Sequence, residues 1–247
     1  MRARLPTRMA PSPTTLRSSL ALRRIALFEG LSDQRLDLLA QQCLWHSVEA
    51  GTPLLLRAEQ QGDVFLLVSG RVRVTTYSAN GRQVTFRDSE AGEHFGDIAA
   101  IDGGPRSADV VTLEPSVLAS LDRTAFMALL REEPVVAERV MRRLASLVRQ
   151  LSERVIDLST LGVQNRLHAE LLRLARATGV KGNQARLEPA PKHAALASQI
   201  STNREQVTRE LNVLVRSGVL RKDGKALLVA DAARLERMVS QVRGDAG

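Results

Sequence analysis

Between Trp45 and Leu121 the chain is cut by glycine turns into short apolar or alternating runs, and this rhythm narrows the possible folds more than any other feature. Val64-Phe-Leu-Leu-Val68, Val72-Arg-Val-Thr-Thr-Tyr77 and Val84-Thr-Phe86 have the length and the β-branched or aromatic content of alternating strands. Turn signals separate such runs at Glu49-Ala-Gly51, Gln61-Gly-Asp63, Ser69-Gly70, Asn80-Gly81 and Ala91-Gly92. Asn-Gly is the sharpest of them, because a type I′ hairpin turn needs positive φ at both central positions. Regularly spaced short strands predict a closed or rolled β domain. Outside this block the apolar period becomes helical. Ile25 to Gln42 reads as short helices, with Ser32 as a cap and Leu36, Leu39 and Ala40 on one face. Arg123 to about Thr160 is helical again. Val140, Leu144, Leu147, Leu151, Val155 and Leu158 form an a/d-like seam with one stutter. Such a seam suits either an amphipathic helix lying on its own barrel or one pairing with a twin.

The β block is interrupted once, by Gly96-Asp-Ile-Ala-Ala-Ile-Asp-Gly-Gly-Pro-Arg-Ser-Ala108. A short helical turn starts at Gly96, a Gly-Gly-Pro break reverses the chain, and Arg106 and Ser107 precede the apolar Val110, Val111 and Leu113. A loop of this kind is either a plain connection between strands or an anion cradle. In the second case backbone N–H groups, a hydroxyl and a guanidinium converge on one phosphate, and the planar fork of Arg pairs bidentately with its oxygens.

The 247 residues suffice for one large or two ordinary domains, and charge is spread unevenly along them. Residues 1–24 hold six Arg and no acid, residues 25–164 hold 14 Arg against 19 Asp and Glu, and residues 165–247 hold 15 Lys and Arg against 8 acids. A basic C-terminal third beside a mildly acidic middle points to a nucleic-acid face in that third, or to a merely solvated basic surface. The first twenty residues, rich in Pro, Ser, Thr and Arg with no apolar stretch, read as a disordered basic tail rather than a signal peptide.

The basic third contains Lys192-His-Ala-Ala-Leu-Ala-Ser-Gln-Ile-Ser-Thr-Asn-Arg-Glu-Gln-Val-Thr-Arg-Glu-Leu-Asn-Val-Leu-Val-Arg-Ser-Gly218, which has helix-turn-helix logic. Ala194, Leu196 and Ala197 allow a closely packed first helix, Ile200 is buried at the turn, and Ser201, Thr202 or Asn203 caps the second helix. Val207, Leu211 and Leu214 set its inner face, leaving Arg204, Glu205, Thr208 and Arg209 outside, where a recognition helix enters the major groove. Leu220 to Val229 reads as a two-stranded wing turning at Asp223-Gly224, with Lys222 and Lys225 on it and Lys192 opening the first helix as further DNA contacts. An ordinary helical hairpin with a charged face is the alternative. A new amphipathic run (Leu167, Leu171, Leu172, Leu174) follows a break at Leu161-Gly162.

Other chemistries find little support. One cysteine excludes an internal disulfide framework, and Cys43-x-x-His46 is the only pair at ligand spacing, so no metal site is expected. His94, beside the cradle, is read as filling the turn. No nucleophile–base set, catalytic carboxylate pair or P-loop lysine stands out, so the chain is expected not to be an enzyme. No apolar run is long enough for a membrane helix, and a cytoplasmic protein without membrane partners is expected.

The segment from Gly96 resembles the phosphate-binding cassette of cyclic-nucleotide-binding domains, with Gly96, Gly103, Pro105, Arg106, Ser107 and Ala108 at the family's spacing. The C-terminal stretch resembles the winged helix of the CRP/FNR superfamily of bacterial transcription regulators, and the likeness covers about residues 25–230. The resemblance implies an α+β chain. Its parts would be the basic tail (1–20), a β-roll sensor (21–133), a dimerisation helix and hinge (134–161) and a winged helix-turn-helix (162–247). It further implies a cyclic nucleotide, cAMP or cGMP, as effector and no tightly bound cofactor. The effector would lie against Gly96, Asp97, Ile98, Ala99, Arg106, Ser107 and Ala108, with Leu151 or Ser152 of a homodimer partner closing over the base. Asp97 stands where the family has a Glu that accepts from the ribose 2′-hydroxyl, and is one methylene shorter. Leu151-Ser152 stands where the family often has Thr-Ser. Arg204-Glu205-x-x-x-Arg209 matches the CRP branch, implying half-sites of the TGTGA type on double-stranded DNA, and RNA polymerase as a further partner. Open beside this are a regulator answering to cyclic di-GMP or to no ligand, and a cyclic-nucleotide module that does not bind DNA.

Overall fold

A computed structural model describes residues 18–77 and 83–243, which fall into two compact units dividing at Ser146/Leu147. The Asn80-Gly81 turn and the tail as far as residue 17 lie outside the described residues.

The first unit holds strands β1 (Leu44–Val48), β2 (Pro53–Leu55), β3 (Val64–Ser69), β4 (Arg71–Tyr77), β5 (Gln83–Glu90), β6 (His94–Phe95), β7 (Asp109–Thr112) and β8 (Ser116–Leu121). They form two antiparallel four-stranded sheets, ordered β1-β8-β3-β6 and β2-β7-β4-β5. Leu55, Phe65, Leu67, Val72, Phe95, Val110 and Leu118, drawn from both sheets, share one core. In it Phe65 and Phe95 stack with ring centroids 5.4 Å apart. Val64–Val68, expected among the alternating strands, is instead buried at all five residues. Phe65 and Leu67 face the inter-sheet core, while Val64, Leu66 and Val68 join Trp45 and the helices on the other side. A strand covered on both faces becomes continuously apolar.

Those helices are α1 (Ser19–Leu22), α2 (Asp33–Gln42) and, after the sheets, α4 (Arg123–Glu132), with α3 (Asp97–Asp102) inside the cradle. Ser32 caps α2 by accepting from the Arg35 N–H at 3.2 Å, as its position in the sequence suggested. Helix α1 begins inside the stretch expected as tail, because Leu22 and Ile25 are fully buried and fix the chain there. Cys43 is buried, with its thiol pushed up to about 12 by desolvation, and His46 bonds Ser120 Oγ at 2.9 Å. Helix α5 (Pro134–Thr160) starts with Val136 and Val140 in the sensor core, whereas Leu151, Val155 and Leu158 are 41%, 62% and 41% exposed in the single chain.

The second unit comprises α6 (Val163–Thr178), β9 (Ala185–Leu187), α7 (His193–Gln199), α8 (Arg204–Arg216), β10 (Leu220–Asp223), β11 (Ala226–Val229) and α9 (Ala232–Arg243). The wing has three strands, ordered β10-β11-β9, where two were expected. β9 is only Ala-Arg-Leu, too short to show alternation, and exists because Ala185 and Leu187 complete a core with Val229 and Leu227.

His168 of α6 is buried in this core, and neither ring nitrogen has a hydrogen-bond partner among the described residues. Burial lowers its pKa, so the folded state holds it neutral. A folded pKa below the unfolded value means stability falls as pH drops through the unfolded value of about 6.5. His168→Leu is expected to gain about 1–2 kcal/mol at pH 5.5, more than at pH 8. Urea melts at the two pH values check this, and an equal gain at both excludes the titration.

Candidate functional site

Gly96 caps α3 with φ +89°, in the left-handed region that glycine tolerates. Space demands glycine there as well, since a Cβ would lie 2.7 Å from the Asp63 carbonyl oxygen and 2.8 Å from Arg106 Nη1. The reason is that Arg106 folds back under the cradle. Its Nη1 donates to the Gly96 carbonyl at 3.0 Å and its Nη2 to the Asp63 carbonyl at 2.8 Å. The residue is 3% exposed, and its buried Nε has no partner among the described residues. Burial lowers the Arg106 pKa, while the carboxylates of Asp63 and Glu59 oppose that shift. Its backbone is also fixed, since its N–H donates to the Glu59 carbonyl and its carbonyl accepts from Ala58. A guanidinium has five donors, so two carbonyl bonds leave capacity for an anion. Ser107 is exposed beside it, and the α3 carbonyl of Ala100 accepts from Arg123 Nε at 2.8 Å.

Asp97 is buried on the inner side of α3, and the side chain of Arg143 from α5 meets it at 2.6 Å. Nη1 of the same guanidinium lies 3.0 Å from His94 Nε2, and Nη2 donates to the His94 carbonyl at 2.8 Å. Arginine can only donate, so Nε2 faces it as an acceptor and the ring is neutral. Burial lowers the His94 pKa. Burial alone would raise the Asp97 carboxyl, but the Arg143 guanidinium beside it holds it below its ordinary value. The sequence pattern points to the cradle loop and Arg106 but not to Asp63, Arg123 and Arg143, which the fold brings beside them. They are neighbours of the cradle only through the fold and carry no local motif. Ile98 is half-buried and Ala99 buried on α3, and Ala108 is half-buried ahead of β7. Leu151 and Ser152 are exposed on the far part of α5, where the Ser152 hydroxyl donates to the Val148 carbonyl.

In the second unit Asn203 is the residue that caps α8, accepting from the Gln206 N–H at 2.8 Å. Thr202 is buried with its hydroxyl against Gln206, and Ser201 takes a left-handed φ of +54° in the turn. The turn's carbonyls are held by arginines from outside it. Arg154 donates to Gln199 and Arg166 to Ile200. Val207, Leu211 and Leu214 are buried, as the periodicity requires. That turns Arg204, Glu205 and Arg209 outward, exposed and without an ion pair among the described residues. Half-buried Thr208 lies on the same side, and Lys192, Lys222 and Lys225 are exposed around it. Arg can read guanine O6 and N7, and Glu accepts from cytosine N4.

No helix among the described residues is long and apolar enough to cross a membrane. Residues 45–133 match the family model of the cyclic nucleotide-binding domain, and residues 165–238 match that of the Crp-like helix-turn-helix domain. The cyclic AMP receptor protein of Thermus thermophilus is 31% identical over 212 residues, 86% of this chain and 95% of the relative. A CRP-like cAMP-activated global transcriptional regulator of Mycobacterium tuberculosis is 25% identical over 217 residues, 87% of this chain and 97% of its own. Among solved structures, a CooA mutant from Carboxydothermus hydrogenoformans shares the fold with a TM-score of 0.74 at 22% identity, over 94% of this chain and 98% of that one. A cyclic-nucleotide-binding sensor followed by a Crp-like helix-turn-helix, matched along nearly the full length of such relatives, makes this chain a member of the CRP/FNR family of DNA-binding transcription regulators, which are not enzymes.

Proposed function

We propose that the chain is a homodimeric regulator gated by cAMP, which reads TGTGA-like palindromes and engages RNA polymerase. One observation carries this reading: a buried cradle arginine with unused donors and a recognition helix with unpaired Arg204, Glu205 and Arg209 occur in the same chain. Arg106 would hold the cyclic phosphate together with Ser107 and the backbone from Gly96 to Ala99. Asp97 would have to serve both Arg143 and a sugar hydroxyl, which the four lone-pair sites of a carboxylate allow. The relatives from Thermus thermophilus and Mycobacterium tuberculosis, named for cAMP, support cAMP over cGMP. The exposed apolar residues of α5 would pair across a dimer axis, with Leu151 and Ser152 reaching the partner's effector. The effector then shifts the population between two dimer arrangements by differential contacts. The prior commitment of Asp97 to Arg143 favours a second reading, in which the effector is one whose sugar Asp97 does not read, such as cyclic di-GMP. Calorimetric titration with cAMP, cGMP and cyclic di-GMP, followed by mobility shifts on TGTGA palindromes with and without the nucleotide that binds, tests the proposal. A chain that shifts no DNA in any state overturns it.

The two classes of DNA contact separate by mutation. Arg204→Ala is expected to weaken the specific site by about 1–3 kcal/mol and relax preference at one guanine. Lys192→Ala, at the exposed cap position of α7, should weaken all DNA alike and reduce the slope of log affinity against log salt by about one. A uniform, salt-dependent loss in Arg204→Ala makes that residue a backbone anchor and removes the TGTGA assignment.

A further inference from the structure

We propose that His193 is a contact to the DNA backbone phosphate that takes up a proton when DNA binds. The inference rests on the family's DNA binding, not on the identity of the effector or of the half-site. His193 opens α7, and its Nδ1 lies 2.7 Å from the hydroxyl of Thr208 on α8. That hydroxyl has a single proton, which it donates to the Arg204 carbonyl at 2.9 Å. Thr208 Oγ1 must therefore accept from His193, which places the ring's proton on Nδ1 and leaves Nε2 bare in the neutral form. No described residue of the protein bonds Nε2. The ring thus bridges the first helix to the outer side of the recognition helix, with its titrating nitrogen free.

The charged groups that act on this ring are Arg204 from α8 and Lys222 from β10, both cationic. Partial burial and these two cations lower its pKa and keep it neutral in the free protein near neutral pH. Phosphates approaching the same surface reverse this balance. They compensate Arg204 and Lys222, and a bare Nε2 lone pair repels a phosphate oxygen, whereas a protonated Nε2 donates a charge-assisted bond to it. Binding therefore raises the His193 pKa. The extra affinity is complete below the value in the free protein and is lost as pH rises through the higher value in the complex. A ring that only buckles α7 to α8 through Thr208 would produce no such linkage.

The test is fluorescence anisotropy of the full chain on generic duplex DNA at low salt, with constant cation concentration from pH 5.5 to 7.5. Sequence-independent binding reports phosphate contacts without requiring any half-site. Wild type is expected to bind several-fold tighter at pH 5.5 than at pH 7.5, about tenfold per ring being the limit for a pKa rise of about one unit. His193→Asn keeps an N–H donor for Thr208 but cannot titrate, and should bind with little pH dependence at the weaker level. His193→Arg should bind with little pH dependence at the tighter level. A wild-type affinity that changes by less than about twofold, or a His193→Asn chain that keeps the wild-type pH slope, overturns the assignment. Absence of binding to any duplex at any pH would instead overturn DNA binding itself, and with it this inference.

Discussion

Arg143→Met is expected to destabilise the sensor unit by about 3 kcal/mol, lowering its melting temperature by about 10 °C. The methionine fills similar space but leaves the Asp97 carboxylate, whose side chain is 6% exposed, without its guanidinium. It also strips the His94 carbonyl and Nε2 of their donor. An unpaired buried charge is far costlier than a lost surface pair. The effect depends on pH. Asp97 has a folded pKa below its ordinary value, so its stabilising contribution is present above the unfolded value of about 3.9 and is lost as pH falls through the lower folded value. The variant and wild type should therefore converge in acid. Calorimetric melts of Arg143→Met, Asp97→Asn and the double variant separate a real pair from bystanders. If the pair acts as a unit, the double variant is less than additively destabilised, because neither charge is stranded. A single variant melting within a degree or two of wild type would show that the guanidinium does not hold the cradle to α5.

This cluster marks the limit of what the sequence discloses. The cradle was legible because its parts are adjacent: glycines that need left-handed backbone, a proline break and an arginine follow each other within 13 residues, Gly96 to Ala108. The recognition helix was legible because Val207, Leu211 and Leu214 keep helical period and so settle which side chains face outward. Arg143 lies 46 residues from Asp97, on a helix whose pattern records only apolar positions. Nothing local distinguishes it from the solvated Arg142 next to it, which pairs with Glu138 one turn away. Arg123 and Asp63 were hidden for the same reason, and Asp63 contributes a backbone carbonyl, which no side-chain motif encodes. β9 escaped because three residues carry no period. Periodicity reveals faces and adjacency reveals loops, but a polar contact between distant elements emerges only once packing is known.

Arg106→Ala is expected to abolish measurable effector binding while leaving both units folded, with a loss of about 3 kcal/mol or more in binding free energy. Its guanidinium is a buried cation beneath the α3 N-terminus, already oriented by the carbonyls of Gly96 and Asp63. An anion bound there would face a guanidinium that these two bonds already orient, so little entropy would be lost on contact. Truncation to alanine removes charge and fork together, and strands those two carbonyls in a buried loop. Some local stability is therefore lost as well, about 1–3 kcal/mol. Arg106→Lys separates the two effects. A lysine restores charge near the phosphate but cannot span both carbonyls and an anion in one plane, so binding should recover only in part. Isothermal titration with cAMP, with circular dichroism to verify folding, provides the measurement. If Arg106→Ala, still folded, binds the nucleotide as tightly as wild type, the phosphate lies elsewhere. The cradle would then be only a strand connection that happens to bury an arginine.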